Sequence, residues 1–349
     1  MRIAQIAPLN EAVPPILYGG TERVVSWLTE ELVSQGHDVT LFATGDSITN
    51  AELVSTVRQG LRFDPSVSQT LPYHVQLMGK VLERADEFDV LHFHVETLHF
   101  PIFQSMSNRF ITTIHTRLNV PEVWPRYLSF PEMKLISISD KQREPIQILN
   151  WFGTIYHGLP LNLYQPNFYP QNYCTFLGRI APEKGVEQAI ELAKQTHMHL
   201  KIAAKVDKLD RQYFETNIRP LLDNPLIEFL GEINDPQKND FLGNAHMLFF
   251  PVNQPEPFGL VMIGAMACGT PVIAYRNGSV PEIVDDGVTG FIVDNLEDAL
   301  QAVRRIPSLS RRQIRAVFET RFTAKRMADD YVVAYRRLIE SRLVDLQIG

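Results

Sequence analysis

The sequence predicts two doubly wound α/β domains of similar size that face each other across a cleft. Three observations carry this. The chain has 349 residues, which at ~100–200 residues per domain is enough for two. Short runs rich in Val, Ile and Phe alternate with amphipathic segments along its whole length. The alternation breaks once, near the middle, and then restarts.

In the first half, "RIAQIA" (2–7), "DVTLFA" (38–43), "DVLHFH" (89–94), "FITTIH" (110–115) and "KLISIS" (134–139) read as buried strands. Between the first two lies "TERVVSWLTEELVSQG". There Val24, Val25, Leu28 and Leu32 fall on one helical face, Thr21 is placed to cap and Gly36 to stop. Strand, helix and strand in sequence imply right-handed crossovers and a parallel sheet. "LPLNLYQPNFYPQNY" (159–173) has three prolines, no charge and no period, and it reads as a linker. "CTFLGR" (174–179), "HLKIAAK" (199–205), "LIEFLG" (226–231), "AHMLFFPV" (245–252), "PVIAY" (271–275) and "GFIVD" (290–294) then repeat the pattern, and the tail 297–342 reads as helical. The expected division is 1–160, a linker at 161–172, 173–320, and a closing helix at 321–349. In doubly wound sheets ligands bind beyond the carboxyl ends of the strands, so the cleft is the expected site.

Composition excludes several classes. The chain is 45% hydrophobic and 21% charged, as in ordinary globular proteins, with formal net charge −7. That charge argues against a nucleic-acid binder. Two cysteines, Cys174 and Cys268, make no disulfide framework and suit a reducing compartment. The N-terminal residues lack the form of a signal peptide, and a cytoplasmic location is expected. Residues 301–349 hold 11 Lys/Arg against 5 Asp/Glu. They read either as helix faces pairing with an acidic body or as weak attraction to the inner face of a membrane.

Four stretches carry candidate chemistry. In "YGGTERVV", Gly19 and Gly20 precede a helix start, where bare backbone lets an anion approach. This is not the G-x-G-x-x-G fingerprint, so nicotinamide chemistry is disfavoured. In "LGRIAPEKG", Arg179 and Lys184 sit on a strand-to-helix loop, where two cations suit a diphosphate. Lys205 ends the neighbouring strand and is grouped with the donor-binding residues. In "PEPFGLVMIGAMACG", a helix is expected to begin near Phe258 and stop at Gly269. The free N–H groups of Gly259, Leu260 and Val261 then form a second anion site. Glu256 opens that stretch and suits sugar hydroxyls or a developing cation, or else complements the helix dipole. Histidine is concentrated in the first half. His92 and His94 share a strand face, His99 follows, and His115 closes a strand at its carboxyl end. These read either as packed, hydrogen-bonded residues or as ligands of a metal hydrolase.

Together with the closing "GSVPEIVDDGVTGFIV", these stretches resemble family 4 retaining glycosyltransferases, which have two Rossmann-like domains in the type B glycosyltransferase architecture. The resemblance covers essentially the whole chain. It implies a metal-independent transferase without a cofactor. The donor would be a nucleotide-sugar, commonly UDP-linked and possibly UDP-glucose, and the acceptor a saccharide or lipid-linked sugar in polysaccharide synthesis. It implies that Gly20 approaches the donor phosphates and that Arg179 and Lys184 neutralise the diphosphate. Leu260 and Val261 would bind the distal phosphate, Glu256 and His115 the transferred sugar, and Ile233 the base. It also implies that the last helix returns to the first domain. The family carries a second glutamate, for the ribose hydroxyls, at the position of Gly264 here, with seven residues between it and Glu256. The departure admits a second expectation, a catalytically weakened sugar-nucleotide binder.

Overall fold

The computed structural model describes residues 1–348, with side chains to Leu343. The chain divides into two compact units, Met1–Gly158 with the closing segment from Ala324, and Leu159–Thr323.

The first unit is built on seven parallel strands: β1 (Arg2–Ile6), β2 (Asp38–Ala43), β3 (Glu52–Ser55), β4 (Val90–Phe93), β5 (Phe110–Thr113), β6 (Leu135–Ser137) and β7 (Trp151–Thr154). Their order is β3-β2-β1-β4-β5-β6-β7, so the winding direction reverses between β1 and β4. β3 and β7, the two edge strands, lie outside the expected runs. The second unit has six parallel strands, all at the expected places: β8 (Tyr173–Arg179), β9 (His199–Lys205), β10 (Ile227–Gly231), β11 (Met247–Phe250), β12 (Val272–Tyr275) and β13 (Gly290–Val293). Their order is β10-β9-β8-β11-β12-β13, with the reversal between β8 and β11. A parallel sheet covered on both faces needs continuous apolar strands. Val90–Phe93 and Met247–Phe250 are buried throughout.

The helix after β1 runs Gly20–Ser34 and buries Val24, Val25, Leu28 and Leu32. Its cap position is Gly19, not Thr21, and no side chain caps it. Gly36 turns the chain out of it with φ 81°. The closing helix, Ala324–Ile348, belongs to the first unit, where Tyr331 and Tyr335 are fully buried.

The proline-rich stretch expected as a linker is instead part of the second unit. Its backbone is tied down: Gln165 N–H donates to Asn239 Oδ1 (2.7 Å), Asn167 N–H to Cys268 O (3.1 Å) and Gln171 N–H to Asn244 O (2.7 Å). Several cations of the basic tail serve internal carbonyls. Arg311 donates to the carbonyls of Asn167, Gly243 and Ala245 and to Thr270 Oγ1. Arg315 donates to Leu161, Tyr164 and Ala267 carbonyls while pairing with Glu319. A planar guanidinium with several fixed donors can satisfy carbonyls on three segments at once.

Replacing Arg315 leaves those buried acceptors unsatisfied, at about 1–3 kcal/mol each. Arg315→Met is expected to lower the unfolding free energy by about 3 kcal/mol in urea titration, and Arg312→Met by little. Equal small effects from the two would show that the strap 159–173 is not held by this guanidinium.

Candidate active site

The loop after β8 and the loop after β11 are neighbours because their strands pair at the reversal point. Residues 180–185 follow β8 and lead through a short turn into the helix Val186–Thr196. Gly185, at φ 71°, is required there. A Cβ would lie 2.3 Å from Pro251 O, which belongs to the other loop. Two bonds stitch the loops further: Asn253 N–H donates to Glu183 O (3.0 Å) and Asn253 Nδ2 to Pro182 O (3.2 Å).

The stitching brings Lys184 Nζ to 2.6 Å from Glu256 Oε2. Both side chains are about one-fifth exposed, at 20% and 19%, so the pair is only partly screened by water. Arg179 lies between two acids, with Nη1 2.8 Å from Asp210 and Nη2 2.6 Å from Glu183. No sequence pattern marks these two acids as partners of Arg179. Lys205 stands beside Arg179 in strand register at the carboxyl end of β9, and its Nζ lies 3.8 Å from Asp207.

The helix after β11 begins at Leu260, two residues later than Phe258. Gly259 is the reason. It takes φ 88°, so the chain turns through the left-handed region before the helix can start. Phe258 is buried and its carbonyl accepts from Ser279 Oγ (2.7 Å). Ser279 N–H donates to Glu256 O (3.0 Å). A Cβ on Gly278 would strike Glu256 backbone atoms at 2.3 and 2.4 Å. The stretch beginning "GSVPE" is thus a clasp on the Glu256 loop, a role that the sequence motif alone does not express. Leu260 and Val261 are partly exposed at the head of this helix, which runs to Ala267. Gly264 is buried in it, and a Cβ there would meet Leu242 Cδ1 and Tyr164 Cε2 at an ordinary 3.5 Å. Packing therefore leaves room for a Cβ there. Ile233 is buried in the loop after β10, just before a helix capped by Asn234 and Gln237.

In the first unit, Gly19 packs under Pro15. A Cβ there would lie 2.8 Å from that ring, and 3.3 Å from Glu11 Oε2. Gly20 is exposed at the first position of the helix. Glu22 follows in its first turn. Burial pushes the Glu22 carboxyl up to about 7, and neighbouring Glu11 adds to the rise.

His115 lies two residues beyond the end of β5, in the following loop. That loop is clasped by Glu96, which accepts from His115 N–H (3.2 Å), Thr116 Oγ1 (3.0 Å) and Tyr127 Oη (2.7 Å). Glu96 holds φ 56°, an uncommon conformation for a residue with a side chain. Sequence carries no signal for it. His92 Nε2 meets Thr113 Oγ1 (2.7 Å), His94 Nδ1 meets His115 Nε2 (2.9 Å) and His99 Nε2 meets Thr112 Oγ1 (2.8 Å). His99 stacks on Phe93 with ring centres 3.7 Å apart. The histidines are thus packed and hydrogen-bonded. Among the described residues, no group of three or more His, Cys, Asp or Glu side chains is placed to hold a metal ion.

Two parallel α/β units, the second with stitched loops at its strand-reversal point, have the type B glycosyltransferase architecture. Residues 18–143 match the model of Glycosyltransferase Family 4, and residues 165–321 that of Glycosyl transferases group 1. The chain is 27% identical to phosphatidyl-myo-inositol mannosyltransferase of Propionibacterium freudenreichii, covering 87% of this chain and 86% of the relative. Solved structures share the fold. They include sucrose-phosphate synthase of Thermosynechococcus elongatus (TM-score 0.78, 21% identity, 97% and 99% covered) and HepE of Anabaena with UDP and glucose (TM-score 0.73, 18% identity, 95% and 98% covered). The chain belongs to the family 4-type glycosyltransferases and is a glycosyltransferase. No helix among the described residues is long and apolar enough to cross a membrane.

Burial pushes His92, His94, His99 and His157 well below the ordinary histidine value of 6.5, and His115 down to about 3. Such groups bind fewer protons folded than unfolded, so stability is lost as pH falls below 6.5. Glu22 acts in the opposite sense. Its folded value is raised from 4.5 to about 7, so acid in that window favours the fold. The histidines outnumber it. Each fully buried one that is still neutral at pH 5 removes up to about 2 kcal/mol there. The urea midpoint is expected to fall steeply between pH 7 and pH 5. A flat or rising midpoint contradicts the neutral assignment.

Proposed function

We propose that the chain is a retaining hexosyltransferase that binds the diphosphate of a nucleotide-sugar at the carboxyl ends of β8 and β11. The observation that carries this is the meeting of Lys184 and Glu256 at 2.6 Å, from two loops, beside the left-handed Gly259 that opens a helix. The donor is taken to be UDP-linked, with glucose as the hexose. Solved structures of this fold hold UDP and UDP-glucose. The acceptor is taken to be a saccharide or a lipid-linked sugar; the curated relative named above is a mannosyltransferase of phosphatidyl-myo-inositol.

In this reading Arg179, Lys184 and Lys205 neutralise the diphosphate. When the bond from the sugar C1 to the phosphate oxygen breaks, negative charge grows on the departing diphosphate. Fixed cations stabilise that charge without reorganisation, and no metal or cofactor is invoked. Two of the five N–H donors of Arg179 serve Asp210 and Glu183, leaving others for phosphate oxygens. Leu260 and Val261 present backbone N–H groups, and Phe258 and Gly259 shape the turn that exposes them. Glu256 accepts hydroxyls of the transferred sugar or faces the positive charge developing at C1. Ile233 backs the base. From the first unit, Gly19 and Gly20 let backbone approach the donor, and neutral His115 hydrogen-bonds the transferred sugar.

A second reading, a weakened sugar-nucleotide binder, rests on Gly264. An acid at this position would supply a charged acceptor for ribose, an interaction of ~1.5–3 kcal/mol. Calorimetry with UDP tests both readings. Lys184→Ala is expected to weaken binding at least about tenfold, while Lys201→Ala, whose lysine pairs with Glu228 on the strand, leaves it unchanged. Equal effects contradict the site. Gly264→Glu is expected to tighten UDP binding by about tenfold or more. If donor hydrolysis appears only in that variant, the weakened reading is correct. Hydrolysis by the unaltered chain contradicts the weakened reading.

A further inference from the structure

Six hydrogen bonds join β1, β4, β5, the closing helix and the His115 loop into one polar chain inside the first unit. Gln5 Nε2 donates to Tyr335 Oη (2.9 Å), and Gln5 Oε1 meets His94 Nε2 (2.9 Å). His94 Nδ1 meets His115 Nε2 (2.9 Å). On the other side, Tyr335 Oη meets His92 Nδ1 (2.8 Å), His92 Nε2 meets Thr113 Oγ1 (2.7 Å), and Thr113 Oγ1 meets Tyr331 Oη (2.8 Å). Gln5, His92, His94, Thr113, Tyr331 and Tyr335 are all fully buried.

Such a chain has a direction. A neutral imidazole offers one donor and one acceptor, and the two ends of an amide differ. Gln5 gives its N–H to Tyr335, so only its oxygen remains for His94. An amide oxygen can only accept, so His94 carries its proton on Nε2 and accepts at Nδ1. His115 must then carry its proton on Nε2, which leaves a lone pair at Nδ1. The Tyr335 hydroxyl, accepting from Gln5, donates to His92 Nδ1, so the far branch agrees with the same direction. Turning the Gln5 amide over would reverse every bond and put a proton on His115 Nδ1. Among the described residues nothing hydrogen-bonds to that nitrogen, and the His115 ring is only partly buried.

We propose that Gln5 and Tyr335 are positioning residues that hold His115 with a hydrogen-bond-accepting Nδ1, and that this nitrogen selects a donor sugar bearing a hydroxyl over one bearing a carboxylate. A hydroxyl can donate to a lone pair, whereas a carboxylate can only accept and is repelled by it. The substrate class is a neutral hexose rather than a uronic acid. The proposal rests on the reading that His115 contacts the transferred sugar.

The test begins with the full chain labelled with ¹⁵N-histidine. Long-range ¹H–¹⁵N couplings are expected to show His94 and His115 both protonated at Nε2. A proton at His115 Nδ1 overturns the proposal. In Tyr335→Phe, or in Gln5→Leu should that variant not fold, His115 is expected to show both tautomers. In Gln5→Glu, whose two oxygens both accept, His115 is expected to keep the original one. Calorimetry then compares UDP-glucose with UDP-glucuronate. Loss of the fixed tautomer should reduce the preference for UDP-glucose at least about tenfold while UDP affinity stays constant. An unchanged preference, with the tautomers scrambled, overturns the proposal. If His115→Ala itself leaves both sugars bound as before, the sugar-contact reading fails, whatever the tautomers.

Discussion

The geometry of the second unit depends on the close approach of two loops where its sheet reverses direction. Pro251 O occupies the space that any side chain at position 185 would need. Once the loops touch, Lys184 and Glu256 meet, Asn253 closes the seam, and the chain leaves through Gly259 into its helix. Gly278 and Ser279 fix the same loop from the other side. Three glycines in left-handed or crowded positions thus set where two opposite charges stand. The proposed diphosphate chemistry follows from that placement.

The first unit solves a different problem. Its central strands carry histidines where a parallel sheet would ordinarily carry aliphatic residues. An unpaired polar group there would cost about 1–3 kcal/mol. The closing helix supplies Tyr331 and Tyr335, and β1 supplies Gln5, so that His92 and His94 have partners at both ring nitrogens. Burial keeps the rings uncharged. A neutral, directed chain can hold His115 in one tautomer, which a charged or wet cluster cannot do.

The second-unit strands were all legible in the sequence, because each is a buried apolar run bounded by turn residues. β3 and β7 were not. "ELVS" and "WFGT" are edge strands with only half-buried or exposed positions, so they lack the continuous pattern. The family motifs mark Arg179, which ends β8, Lys184 and Glu256 on the loops after β8 and β11, and His115, which lies two residues past β5 rather than at its end. Their partners were hidden for physical reasons. Asp210 and Tyr335 lie far from Arg179 and His92 in sequence, and pairing at that distance leaves no local period. Glu96 depends on a backbone conformation that no composition rule predicts. The stretch 159–173 looked like a linker because it is uncharged and proline-rich. It is instead a strap whose polar groups are satisfied by Arg311, Arg315 and two asparagines.

The central claim is that a nucleoside diphosphate sits at the β8–β11 reversal. Titration of the ¹⁵N-labelled chain with UDP, followed through backbone amide shifts, tests it most directly. The account predicts that the largest changes fall on Lys184, Gly185, Gly259, Leu260 and Val261. Changes clustered instead around His246, Leu309 and Arg312, which line a separate pocket in the same unit, would contradict it.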